Sequence, residues 1–265
     1  MVRPVQIAAL ATLLMTVSLC LWRLLFIYTD WAILTLGPLA IFVFTSMWSL
    51  ILEPWRARLK LELREDSTWR NWLTGHIRTF FLSSIFTLVS VTLIAWQALR
   101  VSNINAAILL CIFFVAALAF SFGQRVLSQH FNEPFARLYA TSVVMWCVAI
   151  PATVCIALVS YNFSTMPGEM ITADFREALK IGLMQSSSRD EWISNIVALL
   201  DGYEAVKLWM VIQMRDYPVL GWFFSLDAAI FSFFICRTGI ILAQFSDARV
   251  LSHSKNYKKE LFGKS

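Results

Sequence analysis

Long apolar runs alternate with short polar segments along the chain, and this pattern predicts the architecture. A transmembrane helix needs about 20 mostly apolar residues, and only a helix satisfies all its backbone hydrogen bonds within one span. Six runs meet this requirement: residues 5–27, 32–52, 77–99, 104–123, 138–161 and 219–243. The sequence therefore predicts an all-α, polytopic membrane protein with six transmembrane helices.

Composition supports a single membrane domain over residues 1–265. Hydrophobic residues make up 58% of the chain, charged residues make up 15%, and the mean hydropathy is +0.67. A soluble domain has about 45–50% apolar and about 25% charged residues, so an ordinary cytosolic enzyme is excluded. The first apolar run resembles a signal peptide, but it is long and no small-x-small cleavage site follows it. We therefore expect an uncleaved first span.

Basic residues predict the orientation of the helices, because Lys and Arg concentrate in cytoplasmic loops. One side of the predicted membrane carries Arg3, Arg56, Arg58, Lys60, Arg64, Arg70, Arg78, Arg125, Arg137, Arg249, Lys255, Lys258, Lys259 and Lys264. The other side carries Arg100 and five basic residues within 162–218. Both termini are therefore expected in the cytoplasm (N-in/C-in), including the basic tail 244–265. Compact loops without soluble domains point to a bacterial inner (cytoplasmic) membrane.

Residues 53–76 form a predicted cytoplasmic elbow that is basic and amphipathic. Pro54 is expected to begin a helix there. The candidate contact residues of the elbow are Trp55, Arg56, Arg58, Lys60, Trp69 and Trp72. Such a segment is suited either to lie on an anionic leaflet or to dock a partner protein, and the sequence leaves both interpretations open.

Residues 162–218 are predicted to form an external cap of three short amphipathic helices, with a break at Asp201-Gly202. The alternative is a seventh span over residues 196–214. Its three charges, Asp201, Glu204 and Lys207, oppose that alternative, because each costs about 2.5–3.5 kcal/mol near the middle of a membrane.

Catalytic and metal-binding signatures are missing from the sequence. The three histidines do not form an HExxH motif, and neither a GxSxG elbow nor a Walker loop occurs. The five cysteines lie in apolar runs without CxxC spacing, which argues against zinc and a disulfide framework. No catalytic, cofactor-binding or metal-binding residue is predicted, and no cofactor is expected. His76 and His130 both fall on inner loops and are the only candidates for an enzyme site.

Charges inside the predicted spans are the most informative polar residues. Asp227 lies within the sixth span, Arg237 lies in the same helix nearer its inner end, and Arg23 lies about one turn from the outer end of the first. Asp227 either binds a cation or relays protons, or it pairs with Arg23 or Lys207 and stabilises helix packing. We expect Arg23 and Arg237 to extend toward the interfaces.

Small and hydroxyl residues predict a helix-packing face in the third and fourth spans. Thr79, Ser83, Thr87 and Ser90 recur at intervals of four, four and three, and Ala119 and Gly123 are four apart. Such faces let helices approach closely in lipid, although they also line pores. The tight hairpin over residues 100–103 favours packing.

These observations favour a non-catalytic multipass subunit of a larger envelope assembly, such as a secretion or DNA-transfer machine. Its expected partners are the lipid bilayer and other membrane subunits or further copies of itself. The net charge of +5 is accounted for by the cytoplasmic excess, so direct nucleic-acid binding is not expected. A small channel or ion-coupled transporter that uses Asp227 is the alternative, and a membrane enzyme on lipid substrates is the second alternative.

Overall fold

The computed structural model describes residues 2–62, 75–100, 103–132, 135–163, 173–185, 192–213 and 219–251. Within these ranges every regular element is helical. The α-helices are α1 (Val2–Phe26), α2 (Gly37–Glu62), α3 (His76–Arg100), α4 (Asn103–Leu127), α5 (Phe135–Phe163), α6 (Phe175–Gln185), α7 (Trp192–Gln213) and α8 (Val219–Phe245). A 3-10 segment (Asp30–Leu36) joins α1 to α2, and a π-helical segment (Ser246–Leu251) follows α8.

Six of these helices are long and apolar enough to cross a membrane, which confirms that part of the sequence prediction. Their apolar spans are Arg3–Phe26, Asp30–Leu59, His76–Arg100, Asn105–Leu127, Phe135–Leu158 and Leu226–Ala248. Large apolar side chains are exposed along them, as on Leu88, which is 70% exposed. A surface of this kind suits lipid, since a soluble monomer rarely exposes large apolar patches.

Helix α8 is the centre of the bundle. It contacts α1, α2, α3, α4 and α5, and 61% of its span is buried, compared with 22–44% for the other five. Small residues allow this close packing. A side chain at Gly239 of α8 would lie only 3.1 Å from the carbonyl oxygen of Phe113 in α4. The core of the protein is therefore built around the last of the six spans.

The bundle has two ends, which we name by their residues. The terminal end carries the ion pair between Arg3 of α1 and Asp247 of the π-helical segment. The connector end carries Asp30 and Arg100, at the end of α3. The start of α1 and the end of α8 therefore lie together.

Two local predictions differ from the structure. Pro54 does not begin a helix, because α2 continues through it to Glu62. The predicted break at Asp201-Gly202 is also wrong, since both residues lie inside α7. Gly202 instead allows α7 to pack closely against α6. A Cβ atom added at Gly182 of α6 would lie only 2.8 Å from the Cα of Gly202, so only glycine fits at this contact. Helices α6 and α7 thus form a tight hairpin. The remainder of the predicted cap, residues 164–172, 186–191 and 214–218, lies outside the described residues.

Candidate functional sites: charges in apolar helices

The acidic residues of α7 meet one arginine at the connector end. Asp201 is 4% exposed. Its Oδ1 forms an ion pair with Nε of Arg100 at 2.7 Å and accepts a hydrogen bond from Nε1 of Trp96 at 2.9 Å. Glu204, one turn further along α7, accepts from Nη1 of Arg100 at 2.6 Å. Charge-assisted bonds of this length compensate a carboxylate for leaving water. The charges that opposed a seventh span are therefore turned toward the protein and paired there.

Asp30 caps the amino end of α7 from a distant part of the chain. Its Oδ2 accepts the backbone N–H groups of Ile193 at 2.7 Å and Ser194 at 3.4 Å, and its Oδ1 accepts the Ser194 hydroxyl at 3.2 Å. A carboxylate there satisfies unpaired N–H groups and complements the helix dipole. The sequence analysis missed this role, because Asp30 lies in a short connector and its partners are 163 residues away.

Asp227 pairs with Lys207, which is one of its two partners proposed from the sequence. The Lys207 Nζ lies 2.5 Å from Oδ2 of Asp227 and joins α7 to α8. The positively charged ammonium group neutralises the carboxylate, so the arrangement favours helix packing over cation binding. Arg23 lies in the last turn of α1 and is exposed.

These contacts place α7 across the connector end of the bundle. Its residues 193, 201 and 207 meet, in turn, the 3-10 segment, α3 and α8. The fourteen residue steps from 193 to 207 cover about 21 Å at the helical rise of 1.5 Å per residue. Helix α7 is therefore held to three different elements of the bundle while it packs along α6.

Arg237 lies about two thirds of the way along α8. It is eight residues from Phe245, where the helix ends, a distance of about 12 Å along the helix. Its Nη1 donates to Sδ of Met145 in α5 at 3.8 Å, and among the described residues no acidic side chain pairs with it. Thioether sulfur is a weak acceptor, so within the described part of the chain this guanidinium has no strong partner.

The predicted packing residues lie between helices. Thr79, Ser83, Thr87 and Ser90 are all buried along one face of α3, and the contacts of α3 are with α2, α1 and α8. Ala119 packs against the main hydrophobic core. A side chain added at Gly123 would meet Val144 of α5 at 2.9 Å. Close helix contact is the arrangement that the sequence interpretation favoured.

Part of the predicted elbow is described, as an extension of α2 at the terminal end. The Arg78 guanidinium lies over the Trp55 ring, 5.1 Å from its centre, and Nη2 of Arg56 lies 2.7 Å from Nε2 of His76. Arg58 forms a long, exposed pair with Glu62 at 3.9 Å. The side chain of Lys60, together with Trp69 and Trp72, lies outside the described residues.

A polar cavity of about 270 Å³ opens at the terminal end between α2, α5 and the end of α8. Its charged lining includes Glu53, which lies 3.6 Å from Arg137, and Asp247, which pairs with Arg3. Each of these two carboxylates therefore already has an arginine as its partner. Across the described part of the chain, no group of three or more His, Cys, Asp or Glu side chains is placed to hold a metal ion.

No protein-family model, curated protein or solved structure matches this chain.

Proposed function

We propose that this protein is a non-catalytic, multi-span subunit of a larger assembly in a bacterial cytoplasmic membrane, of the secretion or DNA-transfer kind. The single observation that carries the proposal is Arg237. An arginine inside a span is costly, by up to about 2.5–3.5 kcal/mol at the middle of the membrane, and this cost is offset when the charge meets a carboxylate. The described residues supply only the Met145 sulfur, so a partner is the natural source of the missing acid.

The position of Arg237 on α8 supports this proposal. Leu226 is 58% exposed and Ile230 is 48% exposed, and intervals of four and seven residues place both on the same side of the helix as Arg237. Arg237 itself is partly exposed. Leu226 and Ile230 lie about 16 Å and 10 Å along the helix from Arg237, whereas Ile240 and Ile241, on the other side of Arg237 along the helix, are fully buried. A neighbouring transmembrane helix that covers this exposed face can bring an aspartate or glutamate to the depth of Arg237.

The proposed orientation places the terminal end in the cytoplasm. Among the described basic residues, Arg3, Arg56, Arg58, Arg78, Arg125 and Arg137 lie at or near that end. The opposite side carries Arg23, Arg100, Arg176, Lys180 and Lys207, of which Arg100 and Lys207 are paired with carboxylates. This asymmetry supports the N-in/C-in arrangement and an external position for α6 and α7.

Co-purification tests the proposed assembly. Full-length protein extracted in mild detergent is expected to carry a partner at a fixed ratio. Arg237→Leu should lose that partner, whereas Arg237→Lys should retain part of it, because the positive charge remains. Arg125→Leu is the matched control, since Arg125 is exposed at the terminal end and should not affect recovery.

A charge exchange makes the test specific. The captured protein must contain an acidic residue within a transmembrane segment, and replacing that residue with Arg should restore recovery with Arg237→Asp. Isolation of the native protein only as a monomer or as a lone homo-oligomer would contradict the proposal. Equal partner recovery by the wild type and Arg237→Leu would show that Arg237 does not hold the assembly together.

A further inference from the structure

The outward face of α7 is largely apolar, and its charges point inward. Asp201 is buried, and Glu204 and Lys207 are partly buried, so none of the three charged residues of α7 is among its exposed side chains. Five large side chains form the exposed stripe: Trp192 (63%), Ile196 (48%), Leu199 (69%), Tyr203 (55%) and Met210 (40%). The uncharged polar residues Asn195 and Gln213 are exposed at its edge. This is the reverse of the usual amphipathic helix, which turns its apolar side to the protein and its charges to water.

Helix α6 provides an internal comparison within the same hairpin. Its exposed side chains include the three charged residues Arg176, Glu177 and Lys180 beside the apolar Phe175, Leu183 and Met184, and its small residues Ala178 and Gly182 are buried. Trp209 of α7 donates to the carbonyl oxygen of Ala173, just before α6, at 2.7 Å. Two helices held together in one hairpin thus differ in the charges they expose: the exposed surface of α6 includes three charged side chains, and that of α7 includes none.

The amino end of α7 lies at the same depth as the short connector between α1 and α2. Asp30, which caps α7, belongs to the short connector between α1 and α2, and such a connector lies at the surface of the membrane. Its neighbour Trp31 is 75% exposed, and the neighbour of the capped Ile193, Trp192, is 63% exposed. Tryptophan is enriched at this depth, where part of the ring contacts acyl chains and the ring nitrogen stays near water.

We propose that α7 is an interfacial helix that lies in the lipid at the connector end, with its exposed stripe against the acyl chains and α6 on the aqueous side. The stripe runs eighteen positions, about 27 Å, and adjoins the lipid-facing surface of the spans through Trp31 and Trp192. Burial of such a stripe in the boundary between headgroups and acyl chains is what holds monotopic helices in a membrane. Lipid therefore covers this face, and the ion pairs of α7 with Arg100 and Asp227 fix the orientation of the helix.

Paired cysteine variants test this inference. Leu199→Cys and Lys180→Cys each replace an exposed side chain, one on α7 and one on α6, so neither removes a core contact. The full-length proteins are placed in phosphatidylethanolamine–phosphatidylglycerol liposomes and treated with a charged maleimide, with freeze–thaw cycles so that the reagent reaches both faces. The wild-type protein is the blank, since its exposed cysteines Cys20, Cys111, Cys147 and Cys155 lie on the spans. Leu199→Cys should react at least about tenfold more slowly than Lys180→Cys.

A second measurement distinguishes lipid from a protein cover. In a background whose native cysteines are replaced by alanine, a bimane group attached at residue 199 in detergent, before reconstitution, should be quenched by lipids brominated on their acyl chains, whereas one at residue 180 should not. Fast maleimide labelling of Leu199→Cys would place the stripe in water and overturn the proposal. Slow labelling without quenching would mean that protein covers the stripe, either a second copy or another segment of this chain, and would also overturn it.

Discussion

The charges of α7 and the arginine of α8 lie in similarly apolar helices but in opposite circumstances. Helix α7 has three charged residues in 22, and each pairs with an oppositely charged side chain of the bundle at 2.5–2.7 Å. Helix α8 has two charged residues in 27, and its Arg237 contacts a thioether sulfur at 3.8 Å. The comparison teaches that, among the described residues, the charges of α7 are satisfied within the chain, whereas Arg237 inside the span of α8 has no acidic partner. A partner protein gains the most binding energy where it supplies the counter-ion to a charge that has none.

The largest effect is expected at Asp201. Asp201→Ala should lower the free energy of unfolding by about 3 kcal/mol. The substitution removes one of the two carboxylates that pair with the half-buried Arg100 guanidinium, and it leaves the Trp96 indole N–H without its acceptor. Chemical denaturation in mild detergent, followed by tryptophan fluorescence, measures this loss. Glu204→Gln is the control and should cost clearly less, since 34% of the Glu204 side chain is exposed. Equal costs for the two variants would mean that burial does not set the strength of these pairs.

Arg237 should give a change of opposite sign. Arg237→Leu is expected to raise the free energy of unfolding of the isolated chain by about 1–2 kcal/mol, because it removes a desolvated charge that has no acidic partner. The same denaturation experiment measures the gain, and Arg237→Met is a second apolar replacement of closer length. A destabilised Arg237→Leu variant would reveal a counter-ion within the chain and end the contrast between the two helices.

The smallest effect is expected for the pair of Lys207 and Asp227. A double-mutant cycle with Lys207→Met and Asp227→Asn should give a coupling energy of about 0.5 kcal/mol, because partial exposure to solvent screens the pair. The Asp227 side chain is 42% exposed. Strict additivity would show that the two residues do not stabilise each other. If Asp227→Asn abolished ion flux through liposomes without a change in stability, the transport alternative would replace the packing interpretation.

The helical spans follow from local sequence, whereas the pairing of their charges does not. The six apolar runs predicted six apolar helices, because span length and backbone hydrogen bonding in lipid depend only on consecutive residues. The break expected at Asp201-Gly202 failed for a non-local reason. Gly182 of α6 lies against Gly202, and the absence of a side chain at Gly202 allows the two helices to pack this closely. Pro54 likewise stays inside α2.

What the sequence by itself determined is the number of apolar helices and the apolar environment they require. The tertiary structure alone decided that Asp30 caps α7, that Asp227 meets Lys207, and that Arg237 lies beside a sulfur atom. The physical reason is distance along the chain. Hydrophobic length is summed over neighbouring residues, whereas an ion pair or a helix cap requires two groups that only the packing of separate helices brings within 3 Å.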